Sequence, residues 1–224
     1  MRLALFDLDH TLIPFDSGMA WTGFLAGQGV LPADAPDTYL AWCRRYVAGQ
    51  ADIHDVHRAT VAPLAALSAP QLQALLQAFQ AEMAPRLPAD MRALVAHHQQ
   101  QGDLCAIVTA TTRLVAEPFA RLFGIEQLLA TQPTLDACGL PDGGIEGAPC
   151  HGPHKPAHVA AWLAARGQAL QQFDQSFFYS DSASDLPLLE AVSHPVAVRP
   201  EPRLLAQARL RGWPVQGVSR ASGL

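Results

Sequence analysis

The stretch Phe6-Asp7-Leu8-Asp9-His10-Thr11-Leu12 decides the reading of this chain. It follows residues 2–6, a short apolar run that suits a buried parallel strand better than a helix. Side chains at i and i+2 share one side of an extended chain, so Asp7 and Asp9 point together into the space beyond that strand. Paired carboxylates repel unless a cation or a shared proton compensates, and a hard cation, Mg²⁺, is the expected partner. The plainer reading is two acids that merely end a strand. The rest of the chain has to decide.

Apolar runs of the same kind recur at 104–108, 128–131, 176–180 and 195–198, with helical patterns at 114–123, 157–166, 186–192 and 202–211 between most of them. Strand and helix in alternation predict an α/β fold, a Rossmann-like doubly wound parallel sheet with helices on both faces. Ligands of such sheets sit beyond the carboxyl ends of the strands, where Asp7 and Asp9 lie. Residues 15–85 break the alternation. Trp21, Phe24 and Leu25 form one helical stripe and Tyr39, Trp42, Cys43 and Tyr46 another, while Pro32, Pro36, Pro63, Pro70 and Pro85 divide the segment into about four short helices. The expected organisation is a core of 1–14 and 86–224 with an α-helical insertion at 15–85, whose aromatic residues form their own core. A smaller hairpin insertion is expected at 133–149, around Cys138-Gly139 and Gly143-Gly144, and a loose tail from Ser219.

Composition narrows the function. Of 224 residues, 50% are hydrophobic and 16% charged, ample for a buried core and without a disorder signature. Fifteen basic against twenty acidic side chains give a formal charge of −5, no footprint for nucleic acid or an anionic membrane. A small-molecule partner is favoured. No apolar stretch approaches membrane-spanning length, and Asp7 and Asp9 interrupt the first run before a signal peptide could form, so a cytoplasmic location is expected. The four cysteines contain no C-x-x-C pair and read as reduced packing residues.

Three further segments carry chemistry. Thr109-Ala110-Thr111-Thr112-Arg113 joins the second strand to a helix, where hydroxyls and backbone N–H groups make an anion site, although an N-cap explains one threonine equally well. Lys155 lies in Cys150-His151-Gly152-Pro153-His154-Lys155-Pro156, just ahead of a helical pattern, and can aim a positive charge at a phosphate. His151, His154 and His158 invite a metal reading, but no carboxylate accompanies them and Asp7 with Asp9 offers a better oxygen site. Finally Tyr179-Ser180-Asp181-Ser182 leaves a strand and Asp185-Leu186-Pro187-Leu188 opens a helix, supplying another oxygen ligand and a residue to orient it.

In order and spacing, D-x-D-x-T, the hydroxyl after the second strand, the Lys before a helix and S-D-x-x-x-D-L-P-L-L resemble the haloacid dehalogenase superfamily of phosphatases, over nearly the whole chain. The helical insertion after the first motif is similar to the helical-cap branch that holds phosphoserine phosphatases and histidinol-phosphate phosphatases. The resemblance implies Asp7 as nucleophile and Asp9 as acid and base. It implies Mg²⁺ held by Asp7, Asp9 and Asp181, with Asp185 supporting the metal site. Thr109, Ala110 and Lys155 would bind phosphate, and residues 15–85 would form a cap. Asp16, nine residues after Asp7, has the spacing of an acid that meets a substrate amine, and Arg44, Arg45 and Arg58 are candidates for a substrate carboxylate. The implied substrate is a small phosphorylated metabolite, an aminoalkyl phosphate such as phosphoserine or histidinol phosphate. Two alternatives stay open: a metal-free dehalogenase-like hydrolase on the same scaffold, and a phosphometabolite-binding protein without turnover.

Overall fold

Leu3, Ala4, Leu5 and Phe6 are all fully buried, as an apolar strand covered on both faces requires. They belong to β1 (Arg2–Phe6), a central strand of a six-stranded sheet in a computed structural model that describes residues 1–217. The other strands are β2 (Leu104–Thr112), β3 (Gln127–Thr131), β6 (Gln175–Ser180), β7 (His194–Val198) and β8 (Val215–Gln216). Their order is β3-β2-β1-β6-β7-β8, every neighbouring pair parallel. The tail from Ser219 lies outside the described residues.

Alternation along the strands sorts side chains into two layers. Ala4, Phe6, Ile107 and Tyr179 join one buried cluster with α5 (Ala89–Gln100) and α6 (Arg113–Phe123). Leu3, Leu5, Ala106, Val108 and Phe178 join the other with α7 (Lys155–Ala164), α8 (Leu186–Leu189) and α9 (Pro202–Arg211). Helices on both faces of a parallel sheet make this the doubly wound α/β fold the sequence predicts.

Between β1 and β2 the chain forms α1 (Ser17–Gly27), α2 (Ala35–Val47), α3 (Ile53–Val61) and α4 (Ala69–Met83), with no strand. The sequence signals their ends: Asp16 accepts the Met19 N–H at the start of α1, and capping boxes open α3 at Asp52 and α4 at Ser68. The aromatic residues do not form a core of their own. Trp21, Phe24 and Phe79 pack together, and Phe79 meets Phe119 of α6 edge-on at 5.7 Å, so α1 and α4 share the sheet's buried layer. Tyr39, Cys43 and Tyr46 instead line a cavity, because α2 has no fully buried residue. The antiparallel pair β4 (Pro133–Leu135) and β5 (Pro141–Ile145) lies between β3 and α7 in the chain. The four cysteines are free. Among the described residues no helix is long and apolar enough to cross a membrane.

Candidate active site

The carboxyl ends of β2, β1 and β6 lie side by side, which brings residues far apart in sequence to one edge. The Asp7 N–H donates to the Tyr179 carbonyl at 2.9 Å, extending β1 against β6 by one residue. The chain then turns through Asp9 in extended geometry and His10 with φ 55°. His10 and Arg199 (φ 43°) are the two non-glycine residues of positive φ among the described residues, and they touch: the Arg199 guanidinium donates to the His10 carbonyl at 3.3 Å and to the Thr11 carbonyl. A left-handed conformation costs a residue with a Cβ about 1–2 kcal/mol. The contact from β7's end holds the acidic turn in this conformation.

Lys155 is the centre of the cluster. Its ammonium donates to Asp7 Oδ1 at 2.8 Å and to Asp185 Oδ2 at 2.7 Å, and all three side chains are buried. Gly152, with φ +48°, lies against the Ser184 carbonyl, so the loop that delivers Lys155 approaches closely where a Cβ would be strained. The Ser180 hydroxyl completes the Asp185 carboxylate at 2.8 Å. Thr11 joins the first acid to the third, its hydroxyl 3.4 Å from Asp7 Oδ2 and 3.2 Å from Asp181 Oδ1. Asp9 is held separately: its Oδ1 accepts the Ser17 N–H at 2.7 Å and its Oδ2 the Thr111 hydroxyl at 2.5 Å. Thr109 is buried and accepts the Thr111 N–H at 3.2 Å.

Beyond Asp9 a cavity of about 180 Å³ opens between α1–α3 and the end of β2. Asp16 and Ala110 border it together with Tyr39, Tyr46, His57 and His151. Gly18 permits this arrangement, since a Cβ there would collide with the Tyr39 hydroxyl. The structure therefore brings Asp7, Asp9, Thr109, Ala110, Lys155, Asp181, Asp185 and Asp16 to one region. Arg44, Arg45 and Arg58 do not join them. All three are exposed and absent from the cavity wall: Arg45 lies over the Trp42 ring at 4.4 Å, and Arg58 faces Asp55 at 3.8 Å. Helical spacing gives charge, not the face that α2 and α3 turn to the site. The histidine-triplet metal site does not form either, since His151 pairs with the Tyr46 hydroxyl and His158 with the Ala148 carbonyl.

The family profile described as haloacid dehalogenase-like hydrolase matches residues 4–190. The chain belongs to the haloacid dehalogenase-like hydrolase family. A histidinol-phosphatase of Neisseria meningitidis serogroup C is 38% identical over 96% of this chain and 97% of its own. A phosphoserine phosphatase of Mycobacterium tuberculosis is 30% identical over 95% of this chain and 70% of its own. A solved structure from Bordetella pertussis Tohama I, of a protein with unknown function, superposes with a TM-score of 0.90 at 41% identity, covering 97% of this chain and 99% of that one. Within the haloacid dehalogenase-like family the chain is a phosphoric monoester hydrolase.

Phosphatases of this family generally use a divalent metal. The donor set fits one. The Lys155 ammonium meets Asp7 and Asp185, while Asp9 and Asp181 are held by hydroxyl and backbone donors alone, so the cluster is short of positive charge. Burial first, then the Asp7 charge, pushes the Asp181 carboxyl up to about 8. Burial first, then Asp16, pushes Asp9 up to about 7. Burial pulls Lys155 toward neutrality, but Asp185 and Asp7 outweigh it and hold the ammonium above the usual lysine range. Among the described residues no ready cage of three or more His, Cys, Asp or Glu side chains forms.

The electrostatics carry a stability prediction. Asp9 and Asp181 titrate higher in the folded chain than their ordinary 3.8, so the folded state binds protons more tightly than the unfolded one. Their contribution is largest below about pH 4 and is lost as pH rises through their folded values near 7 and 8. Metal-free protein is expected to melt at progressively lower temperature as pH rises from 5 to 8.5. Added Mg²⁺ should raise the melting temperature more at pH 8.5 than at pH 5. Scanning calorimetry across that range with EDTA or Mg²⁺ checks both, and a rising metal-free profile would refute the charge deficit.

Proposed function

We propose that the chain hydrolyses a small phosphomonoester, an aminoalkyl phosphate, with Mg²⁺ and through a phosphoryl group carried on Asp7. The Asp7 carboxylate attacks phosphorus; a P–O bond forms to Asp7 as the P–O bond to the alcohol breaks. Asp9, fixed at both oxygens, gives its proton to the departing alkoxide. It then takes the proton of the water that attacks the aspartyl phosphate, releasing inorganic phosphate and the free Asp7 carboxylate. The Thr109 hydroxyl, the Ala110 N–H and the Lys155 ammonium hold the phosphoryl oxygens through both transfers. Asp7, the Asp9 backbone carbonyl and Asp181 would hold Mg²⁺, which supplies charge neutralisation of the transferring group. Asp185 fixes Lys155 rather than touching substrate. Residues 15–85 act as a cap that excludes water and chooses the alcohol.

The observation that carries this reading is the buried Lys155 ammonium within hydrogen-bond distance of both Asp7 and Asp185, with Asp181 tied to Asp7 through Thr11. A binding protein without turnover needs no carboxylate held by a buried ammonium at the end of the strand next to a second acid, Asp9. The names of two relatives, a histidinol-phosphatase and a phosphoserine phosphatase, support the aminoalkyl class. A screen of metabolite monoesters for Mg²⁺-dependent phosphate release tests the reading; turnover that survives EDTA would favour the metal-free dehalogenase-like alternative.

A further inference from the structure

The titratable side chains that line the cavity beyond Asp9 are Asp9, Asp16, Tyr39, Cys43, Tyr46, His57 and His151. Burial pushes the Tyr39, Tyr46 and Cys43 groups up and so keeps their protons on. Burial pulls His57 and His151 down, toward neutral imidazoles. Both rings also have protein partners, His57 Nε2 donating to the Gly144 carbonyl at 2.9 Å and His151 Nε2 lying 2.8 Å from the Tyr46 hydroxyl. No Lys or Arg is among the described residues of this wall. What fixed charge the cavity carries is therefore negative.

The two acids differ in what they can still accept. Asp9 has both oxygens engaged by Ser17 and Thr111. Asp16 uses only Oδ1, which accepts the Met19 N–H at 2.7 Å and the Tyr39 hydroxyl at 3.0 Å; its Oδ2 has no donor among the described residues. A cation fits this corner, with the Tyr39 and Tyr46 rings, Ile53, Val56 and Val115 completing the wall. A carboxylate does not. It would lose its water beside Asp16 with no cation to meet it, and like charges in a partly buried site repel strongly.

We propose that the cavity selects phosphomonoesters whose alcohol portion bears a positive charge and no carboxylate, with Asp16 receiving the cation, and that it rejects zwitterionic amino-acid phosphates. This rests on the phosphomonoesterase reading above and narrows it, separating two substrates that the amine alone would not.

A matched pair decides the question: O-phosphoserine against its methyl ester, which keeps the amine and phosphate and removes the carboxylate charge. The wild-type enzyme is expected to show kcat/KM at least about tenfold higher for the methyl ester, since an uncompensated polar group in a site built without its partner discriminates strongly. Phosphoethanolamine should likewise exceed phosphoserine. p-Nitrophenyl phosphate, which has neither amine nor carboxylate, reports the reaction itself. In Asp16→Asn the advantage of phosphoethanolamine over p-nitrophenyl phosphate should shrink several-fold. Equal or faster turnover of phosphoserine than of its methyl ester, or an undiminished advantage in folded Asp16→Asn, would overturn the proposal while leaving the phosphatase reading intact. Failure to release phosphate from any of these esters would overturn both.

Discussion

Replacing Asp7 with Asn is expected to lower phosphate release by about 10⁴-fold or more, since loss of a nucleophile leaves only binding and electrostatic contributions to the rate. Fold should survive the change. Asp7 is buried, its carboxyl is pushed up by burial and by Asp185, and Lys155 pulls it only partly back. Asn keeps the size, removes one of four crowded negative charges and leaves Lys155 its second partner, Asp185. The melting temperature of Asp7→Asn is therefore expected to match or exceed that of the wild type in metal-free buffer. Loss of activity with loss of folding would point instead to a structural role. Retained activity would remove Asp7 from the chemistry altogether.

Lys155 predicts the opposite combination. Lys155→Met keeps the aliphatic stem, yet leaves Asp7 and Asp185 buried without their shared cation. Breaking a buried ion pair from one side costs about 3–5 kcal/mol. For a chain of this size that corresponds to a fall in melting temperature on the order of 10 °C. The fall should be smaller at pH 5 than at pH 8, because protonation relieves the uncompensated acids. Adding Asp185→Asn to Lys155→Met should recover part of the stability and none of the activity. That separates the charge argument from a packing argument: if the double variant is no more stable than Lys155→Met, the cost lies in lost contacts of the stem. Both variants can be followed by calorimetry and phosphate release on one preparation.

The residues of the acidic edge were legible because their signals are local. Asp7 and Asp9 follow from i, i+2 pairing at the end of an apolar run, and Asp181 and Lys155 stand where a strand ends and a helix begins. Thr11 belongs to the same motif, but its bridge to Asp181 leaves no local signal, since it depends on β6 lying beside β1. Arg199 gave no signal at all: its contact with His10 is a meeting of two loops far apart in sequence. The cavity wall was equally hidden. Tyr39, Tyr46, His57 and His151 converge only because α2 and α3 lie over the strand ends, and α2, with no fully buried residue, has too little burial contrast to announce its orientation. For the same reason the sequence offers Arg44, Arg45 and Arg58 as candidates without choosing among them, and none of the three lines the cavity.

Elements followed the same rule. The runs at 2–6 and 176–180 became strands within one residue, and 202–211 became α9 without adjustment. α5 was not foreseen because only Met91, Val95 and His98 of its residues are buried, a weak apolar stripe. β8 was not foreseen because two residues paired to Ala197 and Val198 leave no pattern to read.

The claim on which the rest depends is that Asp7 itself carries the phosphoryl group. Rapid acid quench during turnover of a saturating ester with Mg²⁺, followed by peptide mass analysis, tests it directly. The account predicts a phosphoryl adduct on the peptide that contains Asp7, formed within the first turnover, lost once the ester is exhausted and absent from Asp7→Asn. Phosphate released at full rate with every peptide unmodified, or an adduct on a different residue, would contradict it.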